Sequence, residues 1–268
     1  MIRLIFTKMH GLGNDYLYYY GELNHPSEWS RKLSDRHFGI GSDGIITISE
    51  SNIADFKMRI FNADGSEANM CGNGIRCVGK YVYEKGYTDK KILTIETLSG
   101  IRTLNLKVFD HKVDSVSVDM GKAVVEPENS LQIHGEPIVF TQVSMGNPHA
   151  VIFVEDVENA PLKTIGSAME KHSFFPEGTN VEFVLKLDEN LLRMRVWERG
   201  SGITMACGTG ACAAVAAAMV SGKCPSEKEI TVRLDGGELQ IIVDDDRKVT
   251  MTGMAEIICE CEVQEYDT

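Results

Sequence analysis

The chain has 268 residues, 43% of them hydrophobic, which is enough for one large domain or two modest ones with adequate cores. A formal net charge of -12 and a pI near 5.1 disfavour binding to a nucleic-acid backbone or to an anionic membrane surface. We therefore expect a globular protein whose partner is a small molecule.

The first segment, "MIRLIFTKMHGLGNDY", has an apolar run too short for a secretory signal. No stretch of about 18 apolar residues occurs later in the chain. We therefore expect no membrane segment and a cytoplasmic location.

Short alternating segments predict strands, among them "FKMRIF" at 56–61, "ILTIET" at 92–97 and "SVSVDMG" at 115–121. A helix is predicted from Gly72 to Lys85, ended by Gly86 as a C-cap. A second helix, "GTGACAAVAAAMVSG" at 208–222, is almost entirely small and apolar, which indicates that other elements surround it. A last strand follows from Val249.

The chain repeats itself. "KMRIFNADGSEANMCGNGIRCVGKYVYEKG" from Lys57 aligns without gaps on "RMRVWERGSGITMACGTGACAAVAAAMVSG" from Arg193, so that Cys71 is matched with Cys207 at an offset of 136 residues. With small gaps, "GLGNDYLYYY" aligns with "SMGNPHAVIF", and "GIGSDGIITI" around Asp43 with "PEGTNVEFVL" around Asn180. Such an ordered match is most simply explained by a duplicated domain.

These patterns predict an α/β (α+β) protein of two pseudo-symmetric domains. Each is expected to be a curved, mostly antiparallel sheet or barrel around a central helix. The predicted N-terminal half comprises residues 1–114 and 253–268, because the last strand is expected to return to it, and the C-terminal half comprises 115–252.

Cys71 and Cys207 each precede a predicted helix that opens with Gly-Asn-Gly or Gly-Thr-Gly. Unpaired N–H groups at a helix N-terminus favour a thiolate over a thiol of ordinary pKa about 8.5, and they also bind carboxylates. To invert an α-carbon next to a carboxylate, one group removes the proton and another delivers a proton to the opposite face. The duplicated thiols predict this two-base chemistry.

The other cysteines are Cys77, Cys212, Cys224, Cys259 and Cys261, and we interpret them as small core residues. An odd number of cysteines without an export signal disfavours a disulfide framework. Their spacings do not resemble a zinc site, so we expect no metal.

The motifs "HGLGNDY", "FNADGSEANMCGNGIRC", "SMGNPHAV", "GTNVEFV" and "WERGSGITMACGTGACA" together resemble the diaminopimelate epimerase family over nearly the whole chain. The resemblance implies interconversion of L,L- and meso-2,6-diaminopimelate, without cofactor or metal, on the route to lysine and peptidoglycan precursors. It also suggests a homodimer.

Carried over by residue, the resemblance implies that Cys207 accepts and Cys71 donates a proton in the L,L to meso direction, with reversed roles in the other direction. It implies that His149 and Glu198 tune the thiols and that Arg199 pairs with the distal carboxylate. The implied substrate-binding residues are Asn14, Asn62, Gly72, Asn73, Asn147, Asn180, Glu198, Arg199, Gly208 and Thr209. Turn chemistry is the role we expect for Asp15, Asp43 and Asp64.

The chain departs from the family pattern at Gly44, where many members carry Gln, and at Ile203, where Glu is usual. Three alternatives stay open: another cofactor-independent amino-acid racemase of the same fold, a Cys-His hydrolase using Cys207 and His149, and a non-catalytic amino-acid binding protein. The hydrolase leaves Cys71 without a role.

Overall fold

The computed structural model describes residues 2–265. In chain order its elements are β1 (Ile2–Gly11), β2 (Asn14–Tyr20), α1 (Pro26–Ser34), β3 (Gly44–Ser49), β4 (Phe56–Asn62), β5 (Glu67–Ala68), α2 (Gly72–Glu84), β6 (Ile92–Thr97), β7 (Gly100–Phe109), β8 (Lys112–Lys122) and β9 (Val124–Ile133). They continue with β10 (Glu136–Ser144), β11 (Pro148–Phe153), a π-helical turn (Leu162–Gly166), α3 (Ser167–Glu170), β12 (Asn180–Asp188), β13 (Leu191–Glu198), β14 (Gly202–Ile203), α4 (Gly208–Val220), β15 (Ile230–Leu234), β16 (Gly237–Val243), β17 (Lys248–Gly253) and β18 (Glu256–Glu265).

The protein is a sheet-rich α+β fold, as the sequence predicts. The three quoted strand segments fall on β4, β6 and β8, and the first predicted helix is α2, one residue shorter than expected. The chain forms two compact units, residues 2–118 with 253–265 and residues 119–252. None of the helices within residues 2–265 is both long enough and apolar enough to span a membrane.

The two units share one pattern of strand pairing. In the first, β18, β1, β2, β3, β4, β6, β7 and β8 pair in that order, and only β2–β3 and β4–β6 are parallel. In the second, β9, β10, β11, β12, β13, β15, β16 and β17 pair in order, and only β11–β12 and β13–β15 are parallel. This agreement extends the sequence duplication to the hydrogen-bonded framework.

The C-terminal strand completes the first unit. β18 pairs antiparallel with β1, so it occupies the place that β9 holds in the second unit. The segment from Val249, predicted as one strand, is interrupted after Gly253 and forms both β17 and β18.

Each unit has one long helix against its sheet. α4 packs against β9, β10, β11, β12, β13, β15 and β16, and its residues from Ala211 to Ala218 are all buried. The side chains of this segment are small and apolar on every face of the helix. No face therefore has to reach water, and the sheet can enclose the helix. In α2, by contrast, Lys80, Tyr83 and Glu84 remain partly exposed.

Both long helices end in the same way. Gly86 and Gly222 adopt left-handed φ values of 76° and 69°. In each case the glycine N–H donates to the carbonyl three residues earlier, and the next N–H donates to the carbonyl five residues earlier. This is the Schellman arrangement, in which glycine avoids the steric cost of a left-handed residue.

We predict that Gly86→Ala and Gly222→Ala each lower the free energy of unfolding by about 1–2 kcal/mol, the cost of a side chain in the left-handed region. No atom lies within 4 Å of an added Cβ at either position, so a clash adds nothing. Urea denaturation measures both. Gly86→Asn and Gly222→Asn are the controls and should cost less, because Asn tolerates this conformation. A loss of stability in only one of the two Ala variants would contradict the equivalence of the two helix ends.

Candidate active site

Cys71 and Cys207 are the N-cap residues of the two long helices. Both have extended backbones, with φ of -138° and -116°. Each sulfur accepts a hydrogen bond at 3.3 Å from the backbone N–H three residues on, Gly74 for Cys71 and Gly210 for Cys207. Cys71 is half-buried and Cys207 is buried. The predicted position of both thiols at a helix N-terminus is therefore confirmed.

Asn14 connects the Cys71 thiol to a charged cluster. The thiol donates to Asn14 Oδ1 at 3.3 Å, and Asn14 Nδ2 donates to Asp43 Oδ2 at 2.7 Å. Asp43 also accepts from the Arg36 guanidinium at 3.0 Å. Asp43 therefore orients the side chain that contacts the thiol, and the expected turn role for it is wrong.

Asp15 belongs to the same cluster. Its buried carboxylate contacts Arg36 at 2.7 Å and Lys8 at 3.1 Å. Burial alone would raise the pKa of Asp15, but hydrogen bonds from Arg36 and Lys8 lower it. The turn interpretation is wrong here too, whereas Asp64 does bond the backbone N–H of Ser66 at 2.8 Å in a turn.

Tyr16 is a neighbour of Cys71 that sequence reasoning missed. Burial, followed by the proximity of Cys71 and Asp43, raises the pKa of Tyr16, which keeps its phenol protonated. A Cβ on Gly44 would lie 2.9 Å from the Tyr16 ring and 2.1 Å from the Phe61 carbonyl oxygen. The Gly44 departure is thus explained by the space that the Tyr16 ring and the Phe61 backbone require.

Arg76 braces the start of α2. Its side chain is fully buried and donates to the Gly72 carbonyl at 3.1 Å, to Asn73 Oδ1 at 2.9 Å and to the Met254 carbonyl at 3.3 Å. Asn73 therefore directs its side-chain oxygen at Arg76. Sequence reasoning overlooked Arg76, although it stands within the quoted "MCGNGIRC" motif.

Asn62 is held at the end of β4, where its Nδ2 donates to Ser66 Oγ at 3.0 Å. In the second unit, Asn180 Oδ1 accepts from the Arg199 backbone N–H at 3.0 Å, and Asn180 Nδ2 donates to the Pro148 carbonyl at 3.0 Å. The Arg199 guanidinium donates to the Glu177 carbonyl at 2.9 Å. Its pairing with a substrate carboxylate stays a prediction.

Two acidic side chains act on Cys207: Glu182, which is fully buried, and Glu198, which is half-buried. Glu198 accepts a short hydrogen bond from the Thr204 hydroxyl. Burial raises the pKa of Glu198, although Thr204 and Cys207 act in the opposite direction. Thr209 Oγ1 lies 3.6 Å from the Cys207 sulfur, and Gly208 is buried beside it.

Burial also raises the pKa of Cys207 well above its ordinary value, and the negative charges of Glu198 and Glu182 add to the effect. The Gly210 N–H and Thr209 lower it, but by less. The expectation that the helix N-terminus makes this group a thiolate is therefore wrong for Cys207, which is held as a thiol.

His149 lies behind this thiol in a hydrogen-bonded chain. Its Nδ1 is 2.7 Å from Glu182 Oε1, and both side chains are fully buried. Its Nε2 is 3.1 Å from Asn147 Oδ1, and Asn147 Nδ2 donates to Thr209 Oγ1 at 3.4 Å.

Glu182 is the main residue of this unit that sequence reasoning missed. As the one acidic residue within the apolar run "NVEFVL", it carried a signal that could have identified it.

Strand register shows which side chains are equivalent in the two units. Tyr16 is the β-partner of Gly44, as His149 is of Asn180, and Ile46 is the partner of Ile60, as Glu182 is of Val196. Gly44 rather than Asp43 therefore corresponds to Asn180, a shift of one residue from the sequence alignment. The equivalent pairs are Tyr16 and His149, Gly44 and Asn180, Ile46 and Glu182, and Asn62 and Glu198.

The core interpretation of the remaining cysteines is confirmed for Cys77, Cys212 and Cys224, which are buried. It is wrong for Cys259, which is exposed, whereas Cys261 is half-buried and packs at the edge of a core cluster. They alternate with Glu260 along β18, and their sulfurs are 3.7 Å apart. Ile203, the second departure, lies exposed in β14 opposite Trp197.

Within residues 2–265, no three His, Cys, Asp or Glu side chains are grouped so that they could hold a metal ion.

Comparison with known proteins identifies relatives of about 50% sequence identity over nearly the whole chain. The sequence model of the family described as diaminopimelate epimerase matches residues 6–126 and 141–258. A diaminopimelate epimerase of Acetivibrio thermocellus is 51% identical over 96% of this chain and 98% of its own, and one of Methanococcus maripaludis is 49% identical over 96% and 99%.

Solved structures share the fold at much lower identity. A PhzF-family phenazine biosynthesis protein of Bacillus anthracis superposes with a TM-score of 0.77 at 18% identity, covering 99% of this chain and 100% of that one. A hydroxyproline epimerase of Agrobacterium vitis gives 0.74 at 16% identity, covering 97% and 92%. These two likenesses establish the two-domain fold alone.

We predict that Gly210→Ala is more destabilising than Gly74→Ala. A Cβ at 210 would lie 2.7 Å from Glu182 Oε1, which His149 holds, whereas a Cβ at 74 would meet the flexible end of Ile46 at 2.6 Å. We expect a loss of about 2 kcal/mol for Gly210→Ala, and a change within about 1 kcal/mol for Gly74→Ala, where improved helix propensity offsets the crowding. Urea denaturation compares them, and equal losses would contradict the fixed position of Glu182.

We predict that ionisation of the Cys207 thiol lowers the free energy of unfolding at alkaline pH. Because its pKa is raised on folding, its stabilising contribution is complete below the unfolded thiol pKa of about 8.5 and is lost as pH rises toward the native value. Between about pH 8 and 10, the native protein should lose up to about 2 kcal/mol more unfolding free energy than Cys207→Ala. Cys259→Ala, at an exposed site, is the control. The same pH slope in the native protein and in Cys207→Ala would refute the prediction.

Proposed function

Since the chain belongs to the diaminopimelate epimerase family, we propose that it interconverts L,L- and meso-2,6-diaminopimelate by proton transfer between its own thiols and the α-carbon. The observation that carries this mechanism is the pair of cysteine N-caps. Each sulfur accepts an N–H at 3.3 Å from an equivalent glycine in two units with the same strand pairing.

In the L,L to meso direction, the Cys207 thiolate takes the α-proton and Cys71 gives its thiol proton to the opposite face. The C–H bond broken and the C–H bond formed involve the same carbon, so the products are a Cys207 thiol and a Cys71 thiolate. The reverse reaction exchanges the roles. Thiols supply both proton transfers, and the proposal needs neither cofactor nor metal.

The backbone N–H groups of Gly72, Asn73, Gly208 and Thr209 are proposed to hold the reacting carboxylate. They lie in the first turns of α2 and α4, where backbone donors carry the positive end of the helix dipole. Donors of this kind stabilise the charge that develops on the carboxylate as the α-proton leaves. The braced start of α2, with Arg76 on the Gly72 carbonyl, supports a fixed cradle.

Burial, together with the charges of Glu198 and Glu182, disfavours a Cys207 thiolate before substrate binds. A substrate ammonium near this cluster would favour the thiolate through its opposite charge. In this proposal the two carboxyl groups make proton abstraction dependent on an amino-acid substrate. Asn14, Asn62, Asn147, Asn180 and Arg199 are proposed to bind the remainder of that substrate.

A Cys-His hydrolase is less well supported. Such an enzyme needs its base hydrogen-bonded to the nucleophile. Here the ring nitrogens of His149 contact Glu182 and Asn147, while the Cys207 sulfur contacts Thr209 and Gly210. A cytoplasmic location, expected from the pattern of apolar segments, and a homodimer, suggested by the family resemblance, remain predictions.

The direct test is proton NMR of L,L-diaminopimelate in D2O with reduced protein. We expect loss of the α-proton signal and growth of the meso isomer, with rates at least about 100-fold lower in Cys71→Ala and Cys207→Ala, since each removes one acid-base group. Cys259→Ala, which removes an exposed thiol, is the matched control.

Absence of exchange in the reduced native protein would refute the proposed substrate, and proline and hydroxyproline would then test the alternative racemase. Full activity in either cysteine variant would refute the two-thiol mechanism.

A further inference from the structure

Glu182 neither takes nor gives a proton in the transfers proposed above, yet it forms a fully buried contact with His149 at 2.7 Å. Burying a carboxylate is costly unless it is paired and hydrogen-bonded. Its second oxygen, Oε2, is buried without a hydrogen-bond partner in the described part of the chain. Because burying the Glu182 carboxylate is costly, we expect it to have a role beyond packing.

The equivalent position in the first unit shows that the fold does not require a carboxylate there. Ile46 lies at that position, fully buried in β3. The equivalents of His149 and Glu198 are Tyr16 and Asn62, so the two sites share a backbone but differ in charge. Glu182 therefore belongs to the chemistry of the second site.

The contacts of the His149 ring indicate what Glu182 does. The Glu182 carboxylate can only accept a hydrogen bond, so Nδ1 carries a proton. Asn147 Oδ1 also accepts, and its Nδ2 donates to Thr209. An imidazolium, whose two ring nitrogens both donate, satisfies the two acceptors.

From His149, side-chain contacts lead to the thiol. Asn147 is 3.1 Å from Nε2 and 3.4 Å from Thr209 Oγ1, which is 3.6 Å from the Cys207 sulfur. The same oxygen that contacts His149, Glu182 Oε1, also faces the start of α4, since it occupies the space that a Cβ on Gly210 would need. Glu182 is thus the buried end of a chain of contacts that terminates at Cys207.

We propose that Glu182 is a positioning residue that holds His149 protonated on Nδ1, and through Asn147 and Thr209 fixes the surroundings of the Cys207 thiol. The proposal rests on the two-thiol function given above. The titratable groups facing Glu182 are His149 from β11, Glu198 from β13 and Cys207 at the start of α4.

The first test uses nitrogen-15 NMR of histidine-labelled native protein, Glu182→Gln and Glu128→Gln near neutral pH. Gln keeps the shape and an accepting oxygen but removes the charge, and Glu128 is an exposed glutamate of β9. His149→Gln assigns the signal. We expect two protonated ring nitrogens in the native protein and in Glu128→Gln, and one deprotonated nitrogen in Glu182→Gln. An unchanged ring in Glu182→Gln would overturn the proposal.

This readout needs no turnover. If the native protein fails to epimerise diaminopimelate, the proposed function fails while the ring measurement still decides the role of Glu182.

The second test is a double-mutant cycle on activity. Glu182→Gln should lower kcat about 10- to 100-fold, as loss of an orienting partner does, while KM changes less than about threefold. It should also move the pH profile of kcat/KM, which a purely structural loss would not. In a His149→Gln background the same substitution should change kcat by less than about twofold. An equal loss in both backgrounds would show that Glu182 does not act through His149.

Discussion

The structure depends on one repeated interaction, the hydrogen bond from a glycine N–H to a cysteine sulfur at the start of a buried helix. It satisfies one of the donors that every helix N-terminus leaves unpaired, and it places a thiol where further donors converge. A Ser cap would satisfy the same donor, but its hydroxyl is a much weaker acid than a thiol and does not supply an ionised base near neutral pH. In the proposed mechanism the cap is also the reactive group.

Around this interaction the duplicated framework has been kept while the side chains have diverged. Both units pair their strands in the same order and end their long helices on a left-handed glycine. Beside Cys71 stand Tyr16 and Asn14, which are uncharged. Beside Cys207 stand a histidine and two carboxyl groups, the fully buried Glu182 and the half-buried Glu198. Equivalent backbones thus give two thiols different electrostatic surroundings, which suits a reaction in which one group gains a proton as the other loses one.

The charged surroundings of Cys207 reverse the simple expectation for a helix N-terminus. Partial charges of the first turn favour a thiolate, but burial and neighbouring carboxylates outweigh them. The first unit places its carboxylates one step further away, in the cluster of Asp43, Asp15 and Arg36 that orients Asn14. Ion pairs neutralise that cluster, so it serves to position a side chain.

The sequence by itself determined the duplication, the α+β class, both helices and the two thiols, because these follow from local patterns: alternation, small apolar runs, and glycines at caps. Only the tertiary structure decided which side chains meet across strands. The contacts of Glu182 with His149, Tyr16 with Cys71, Asp43 with Asn14, and Arg76 with Met254 join residues far apart in the chain. The one-residue shift that pairs Gly44 with Asn180 and the exposure of Cys259 likewise depend on register and on which strand lies next to another.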